Sequence, residues 1–193
     1  MNKTILVDID NTLLRSDKVW WYWSCNVTDT HPPFKPWKIP NAYFDFTLYF
    51  KEGLKREGLT GNEFWYQENV YDNHMNPVEG SQKAITELLN MGYTLVPVSK
   101  VMGLHGDSKG HCIKKLFPEM EECIFTHYTG DKGRYIRGDY IIEDNPLEIN
   151  TFPVDTKAVL LHTPYQHPKT LTRECYLAGS WEDVINYFRG ENK

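Results

Sequence analysis

Ile5-Leu6-Val7-Asp8-Ile9-Asp10-Asn11-Thr12 runs an apolar stretch directly into two carboxylates, an amide and a hydroxyl. A short unbroken apolar run bounded by polar residues reads as a buried strand. Residues i and i+2 of a strand share a face, so Asp8 and Asp10 end it on the same side. In an open α/β sheet, ligands bind beyond the carboxyl ends of the strands. Two acids held that close repel each other unless a proton or a cation lies between them. Hard oxygen ligands of this kind suit Mg²⁺, and a carboxylate left free beside the ion can attack phosphorus. The local alternative is an acidic strand end that only caps the following turn.

Two further runs repeat the pattern. Tyr93-Thr94-Leu95-Val96-Pro97-Val98 is apolar and leads into Ser99, and Gly138 to Glu143 reads as a strand that ends in Glu143-Asp144-Asn145-Pro146. Lys132 lies a few residues before the second of these. The order is acid pair, hydroxyl, lysine and acid, each at or near the end of an expected strand. It resembles the motif order of the haloacid dehalogenase-like (HAD) phosphohydrolases. The resemblance implies an α/β fold with a Rossmann-type parallel sheet flanked by helices.

Composition is that of an ordinary globular chain. Its 193 residues are enough for one domain with a sizeable insertion. The net charge of −5 and a pI near 5.8 argue against a nucleic-acid groove, which needs clustered Lys and Arg. No apolar run approaches 18 residues, and the chain enters its first strand without a signal-peptide pattern, so neither a membrane span nor secretion is expected. Cys25, Cys112, Cys123 and Cys175 form no C-x-x-C pair, which fits reduced thiols in a cytoplasmic protein and no zinc site. The seven histidines (His31, His74, His105, His111, His127, His162 and His167) show no ligand spacing and read as structural or exposed.

Aromatic residues locate a second unit. Residues 15–77 hold five of the six tryptophans (Trp20, Trp21, Trp23, Trp37 and Trp65), with Phe34, Phe44, Phe46, Phe50, Phe64 and five tyrosines. Ser16 to Cys25 reads as a helix with Ser16 as N-cap. Pro32 to Pro40 reads as a loop, Asn41 to Glu57 as an amphipathic helix and Asn62 to Val70 as a shorter one. Residues 15–77 are therefore expected to form a small helical cap, inserted after the first strand of a core made of 1–14 and 78–193. In that core, strands alternate with helices over Gly80–Met91 and Lys109–Phe117. A short strand follows around Cys123 to Phe125 and another over Lys157–Leu161, and Ser180 caps a last helix through Phe188.

Pro77-Val78-Glu79-Gly80, Asp131-Lys132, the Gly138-Asp139-x-x-Ile142-x-Asp144 run and Gly179-Ser180-Trp181-Glu182-Asp183-Val184-Ile185 resemble segments of the 5'(3')-deoxyribonucleotidase family. The similarity spans nearly the whole chain. It implies Mg²⁺-dependent hydrolysis of nucleoside monophosphates. On this pattern Asp8 is the nucleophile that forms an aspartyl-phosphate. Asp10 is the acid that protonates the leaving oxygen and then the base that deprotonates water, and its backbone carbonyl reaches the metal. Asp144 completes the metal site with Asp8. Ser99 bonds a phosphoryl oxygen, and Lys132 neutralises charge and orients Asp8. Asn11 and Thr12 lie where backbone N–H groups could cradle phosphate, their side chains equally serving a turn and a helix cap. Asp139 and Glu143 are expected to support the metal site from behind Asp144. In two places the chain departs from the family. Ser99 stands for a threonine and keeps the hydroxyl. Lys100, a candidate substrate contact, replaces a small uncharged residue, and the loop Met102–Lys109 differs.

Most cap aromatics must be core, because a small helical insertion has little else to bury. A few are expected to face the substrate, and Phe44, Phe46 and Trp65 are the candidates, since an aromatic face suits a planar base. The leading expectation is a nucleoside-monophosphate phosphatase with a deoxy preference. Alternatives are a HAD phosphatase acting on a polynucleotide 3' phosphate or a small ester, and a non-catalytic binding module on the same fold. The expected partner is a small nucleotide, with no membrane; nucleic acid is disfavoured and a homodimer is allowed for.

Overall fold

Ile5, Leu6 and Val7 are at most 1% exposed and form the middle of β1 (Thr4–Asp8) in the computed structural model, which describes residues 2–34, 47–72, 74–161 and 171–191. β1 lies between β2 (Thr94–Val101) and β4 (Tyr140–Glu143). The sheet continues through β3 (Ile124–His127) on one side, and through β5 (Lys157–Leu161) and β6 (Tyr176–Ala178) on the other. All five pairings are parallel, and the order is β3-β2-β1-β4-β5-β6. A parallel sheet is covered on both faces, so its central strands must be apolar throughout. The period of two then divides the core. Ile5, Val7, Ile142 and Val159 face one side, and Leu6, Ile141 and Leu160 face the other.

The helices follow from their apolar stripes. α3 (Ser81–Asn90) presents Ala84, Ile85 and Leu88, and α7 (Trp181–Glu191) presents Val184, Ile185 and Phe188, all in the first of these clusters. As expected, Ser180 closes the start of α7: its Oγ accepts from the Asp183 N–H at 3.2 Å, and the Asp183 carboxylate in turn accepts from the Gly179 N–H at 3.0 Å. Trp181 donates its indole N–H to the Thr12 carbonyl at 3.0 Å, tying the last helix to the first loop. The remaining helices are α4 (Gly106–Leu116), α5 (Lys132–Tyr135) and α6 (Pro146–Ile149). Among the described residues, no helix is long and apolar enough to cross a membrane.

Between β1 and α3 lie α1 (Ser16–Thr28), α2 (Thr47–Arg56) and a 3-10 turn at Asn62–Phe64. Trp21, 1% exposed, packs against the Phe34, Tyr49 and Phe50 rings at centroid distances of 5.3, 4.9 and 5.0 Å. Phe44 and Phe46, Trp37, His162, His167 and the start of the helix expected from Asn41 lie outside the described residues.

Several local expectations change. Ser16 is the first helical residue and not the N-cap; the free α1 donor at Asp17 N–H is taken by the Asn11 side chain at 2.9 Å, across a turn with Asn11 at φ 59°. α1 runs on to Thr28 and stops where Asp29 enters the left-handed region. The helix expected over Asn62–Val70 is a single 3-10 turn. Glu63 there accepts from the Thr60 and Gly61 N–H groups, using its carboxylate on the turn before it. α4 starts at Gly106, three residues before the expected Lys109, which draws Lys109 into its first turn. β2 continues through Ser99 and Lys100, because these residues pair with Phe125 and Thr126 of β3.

Candidate active site

The order of strands turns back between β1 and β4, with β2 and β3 on one side and β4 to β6 on the other. At such a switch point the loops diverge and leave a crevice at the carboxyl ends. Asp8 ends β1, Ser99 lies near the end of β2, and Glu143-Asp144 end β4. These residues, with Asp10 and Lys132, line one cavity of about 230 Å³. Four sequence segments more than 130 residues apart at the extremes are thus brought to one place by parallel pairing (Asp8 to Asp144).

Lys132 sits at the start of α5, 3% exposed, and donates to Asp8 Oδ1 and Glu143 Oε2, both at 2.5 Å. Its seat depends on Gly133. A Cβ there would lie 2.3 Å from the Phe152 backbone nitrogen, so only glycine lets α5 come this close to the end of α6. Burial works against the Lys132 charge, but Asp8 and Glu143 outweigh it and hold the ammonium far above its usual value. Lys132 is therefore a fixed cation at any working pH.

Among the described residues, Asp8, Glu143 and Asp144 form one group of acids whose oxygens lie within 4.8 Å of one another, all buried. Burial, then Glu143, raises the Asp8 carboxyl to about 8 despite Lys132. Burial raises Glu143 too, and burial with Glu143 and Asp8 raises Asp144 well above its usual value. Glu143 spends both oxygens, one on Lys132 and one on the Asn145 N–H at 3.1 Å. Asp144 Oδ2 is buried with no hydrogen-bond partner. Six carboxylates and three lysines line the cavity, an excess of negative charge. An all-oxygen donor set with an orphaned buried carboxylate oxygen fits a hard divalent cation such as Mg²⁺, held by Asp8 and Asp144 with Glu143 behind them. Glu143 thus stands behind the pair, tied to Lys132 and the Asn145 N–H. Asp139 is a correction: it lies at the far end of the strand, exposed, accepting from the Thr4 N–H at 2.7 Å.

Asp10 has other partners. Its carboxylate accepts from Lys109 Nζ at 2.6 Å and from the Tyr71 hydroxyl at 2.5 Å, and its side chain keeps 25% exposure to the cavity. Burial alone would raise Asp10, but Lys109 and Tyr71 outweigh it and hold the carboxyl below its usual value. Ser99, 2% exposed, accepts from Lys109 at 2.9 Å. The side chain of Asp10 therefore lies apart from the acid group that fits a cation.

Of the expected substrate contacts, Lys100 lines the cavity and pairs with Glu148. Trp65 lines it as well, half-buried, against Trp20 at 5.6 Å and His105 at 6.2 Å. Asn11 reaches the cavity, but its N–H donates to the Leu14 carbonyl at 2.7 Å and its side chain caps α1, so it has no backbone donor for a phosphate. Thr12 is a correction: it is fully buried away from the cavity, with its carbonyl taken by Trp181.

Lys109, Tyr71 and His105 were not expected at the site. Lys109 carried a signal: Lys109, Cys112 and Ile113 share one helical stripe, and a lysine on an apolar stripe is out of place unless paired. Tyr71 carried none. His105 donates through Nδ1 to the Trp65 carbonyl at 2.6 Å, which leaves Nε2 as a buried acceptor without a partner. Burial and the neighbouring Lys109 hold the ring below its usual pKa, in its neutral form.

The raised acids make a stability prediction. A carboxyl with a higher pKa folded than unfolded binds more protons when folded, so stability falls as pH rises between the two values. For Asp8 that window runs from 3.8 to about 8. Metal-free protein is expected to melt at a lower temperature near pH 8 than near pH 5. Mg²⁺ is expected to raise the melting temperature more at the higher pH, where it finds the acids ionised. Calorimetry with and without Mg²⁺ checks this; a Mg²⁺ effect that is absent, or larger at pH 5, would remove the cation from this acid group.

No family model matches the sequence, and no curated protein does. Solved structures do. A HAD-like hydrolase from Burkholderia xenovorans superposes with a TM-score of 0.63 at 13% identity, covering 98% of this chain and 97% of that one. A predicted phosphatase from Clostridium acetobutylicum gives 0.62 at 13%, covering 98% and 100%. A dehalogenase gives 0.60 at 11%, covering 96% of each. The chain therefore has the fold of the HAD-superfamily hydrolases.

Proposed function

We propose that this protein is a Mg²⁺-dependent phosphatase that hydrolyses nucleoside monophosphates, with preference for 5'-deoxyribonucleotides, through an aspartyl-phosphate. The observation that carries the phosphatase reading is Asp10, a second carboxylate open to the cavity beside buried Asp8. A halide leaves as a stable anion and needs no proton, whereas an alkoxide needs an acid. A pair of acids therefore suits phosphate esters better than carbon–halogen bonds.

An oxygen of Asp8 attacks phosphorus, the bond from phosphorus to the ester oxygen breaks, and that oxygen takes a proton from Asp10. Lys109 and Tyr71 keep Asp10 ionised against its burial before substrate binds, and it receives that proton from the phosphate monoester as its monoanion binds. Water then attacks the phosphoryl group, gives its proton to Asp10, and the bond to Asp8 breaks to release phosphate. Lys132 keeps the Asp8 oxygen aimed and balances charge on the transferring group. A cation held by Asp8 and Asp144 would supply further neutralisation of the phosphoryl charge.

Residues 15–77 act in this reading as a cap that selects the substrate. The cavity of about 230 Å³ is below the roughly 300–1,000 Å³ that encloses a drug-sized ligand. A nucleotide would seat its phosphate inside and its base against the mouth. Trp65, His105 and Tyr128 line that cavity, and Tyr66 and Leu104, 53% and 68% exposed, are the sequence neighbours of Trp65 and His105.

The test is phosphate release from deoxynucleoside and nucleoside mono- and diphosphates, sugar phosphates and p-nitrophenyl phosphate, with Mg²⁺. Deoxynucleoside monophosphates are expected to be cleaved best; sugar phosphates cleaved equally well would leave only a general phosphatase. Trp65→Ala is expected to raise KM for nucleotides by the loss of about 1–3 kcal/mol of stacking, with little change for p-nitrophenyl phosphate. An equal loss on both would make Trp65 a packing residue.

A further inference from the structure

Two buried lysines serve this site, and each holds a different aspartate. Lys132 binds Asp8. Lys109, with no exposed surface, binds Asp10 from the other side. An ammonium has three N–H donors, and those of Lys109 meet three acceptors: Asp10 Oδ2 at 2.6 Å, Ser99 Oγ at 2.9 Å and the Lys100 carbonyl at 3.2 Å. No donor is left over for a phosphoryl oxygen. Nζ also lies 4.8 Å from the centre of the Tyr71 ring, and the Tyr71 hydroxyl grips the second Asp10 oxygen. The Asp10 carboxylate, the Ser99 hydroxyl and the end of β2 are thus fixed as one unit around a single cation.

We propose that Lys109 is a positioning residue that acts through Asp10, and that its largest effect falls on hydrolysis of the phosphoenzyme. The inference rests on the aspartyl-phosphate reading. In that scheme, attack by Asp8 needs no help from Asp10 when the leaving group is a stable anion. Attack by water always needs a base, because a proton must leave the water as its oxygen bonds to phosphorus. Without Lys109, Asp10 keeps the Tyr71 bond at 2.5 Å and only a long one of 3.3 Å from the Ser99 hydroxyl, and it can turn away from the line of attack. The first half of the cycle then survives with a good leaving group, and the second does not.

The experiment is rapid mixing of wild type and Lys109→Met with p-nitrophenyl phosphate and Mg²⁺, following p-nitrophenolate and phosphate separately. The variant is expected to release about one equivalent of p-nitrophenolate per enzyme in a burst, the fingerprint of a covalent intermediate. Steady turnover should then be slower than wild type by on the order of 100-fold, the loss typical of a misplaced catalytic group. kcat and KM should fall together, leaving kcat/KM little changed, because a slower second step lowers both, and acid-quenched variant should carry the phosphoryl group. A burst and a steady rate slowed by the same factor would overturn the assignment, since a merely structural role weakens both halves alike. If the Met variant does not fold, Lys109→Arg carries the test. It keeps the charge, but its planar fork does not match three acceptors around one nitrogen, so the same separation is expected, and wild-type turnover in that variant would overturn the proposal. Wild type that does not hydrolyse p-nitrophenyl phosphate with Mg²⁺ would sink the phosphatase reading itself, and this inference with it. An active wild type with a uniformly slow variant sinks the inference alone.

Discussion

Asp8→Asn is expected to lose turnover by on the order of 10⁴-fold or more, the scale seen when a nucleophile is removed from a working set. The amide keeps the shape of the carboxylate but has neither the attacking charge nor a strong oxygen for a cation. The fold should not suffer. In metal-free protein Asp8 is held among acids that raise its carboxyl to about 8, so a neutral side chain there relieves repulsion. Stability near pH 8 without Mg²⁺ should therefore match or exceed that of wild type, while the Mg²⁺ stabilisation shrinks. Phosphate release and calorimetry measure the two effects. Near-normal Mg²⁺-dependent activity in folded Asn variant would end the assignment of Asp8 as nucleophile.

Lys132→Met is expected to damage both activity and stability. The ammonium lies 2.5 Å from both Asp8 and Glu143, and its removal leaves buried carboxylates with Asp144 close by. Breaking a buried ion pair from one side costs about 3–5 kcal/mol. Loss of a charge donor at the reacting group costs a further ~10²–10³ in kcat. Mg²⁺ should recover part of the stability, since it neutralises the same acids, but not the turnover. Glu143→Gln in the same background should restore some stability by removing one unpaired charge. A Met variant as stable as wild type without Mg²⁺ would show that the acids are not held charged by Lys132.

Much of the fold was legible because it rests on local pattern. The unbroken apolar run at β1, the run before Ser99 and the run before Asp144 have the character of strands buried on both faces, and that alone implies a parallel sheet. Parallel strands bring their carboxyl ends to one edge, so residues 8, 99 and 144 meet there whatever the details between them. Features set by single contacts were less legible. Asn11, and not Ser16, caps α1, because a positive φ at Asn11 folds its amide back over the helix end. β6 has three residues, too few for a pattern, and exists because β5 offers an edge to pair with.

The amino-acid sequence by itself determined which groups gather at the candidate site: Asp8, Asp10, Ser99, Lys132 and Asp144 each stand at a strand end or shortly before a strand, and all line the one cavity. The tertiary structure alone decided how they pair. Lys132 serves Asp8 and Glu143 because Gly133 lets α5 approach the end of α6. Lys109 reaches Asp10 because α4 starts three residues earlier than its composition suggests, turning a surface-type residue inward. Tyr71 reaches Asp10 from 61 residues away, through a fold that no periodicity records. Strand character depends on neighbours one and two residues along the chain. The pairing of buried charges depends on distances of a few ångströms between segments far apart in it, and those exist only once the chain has packed.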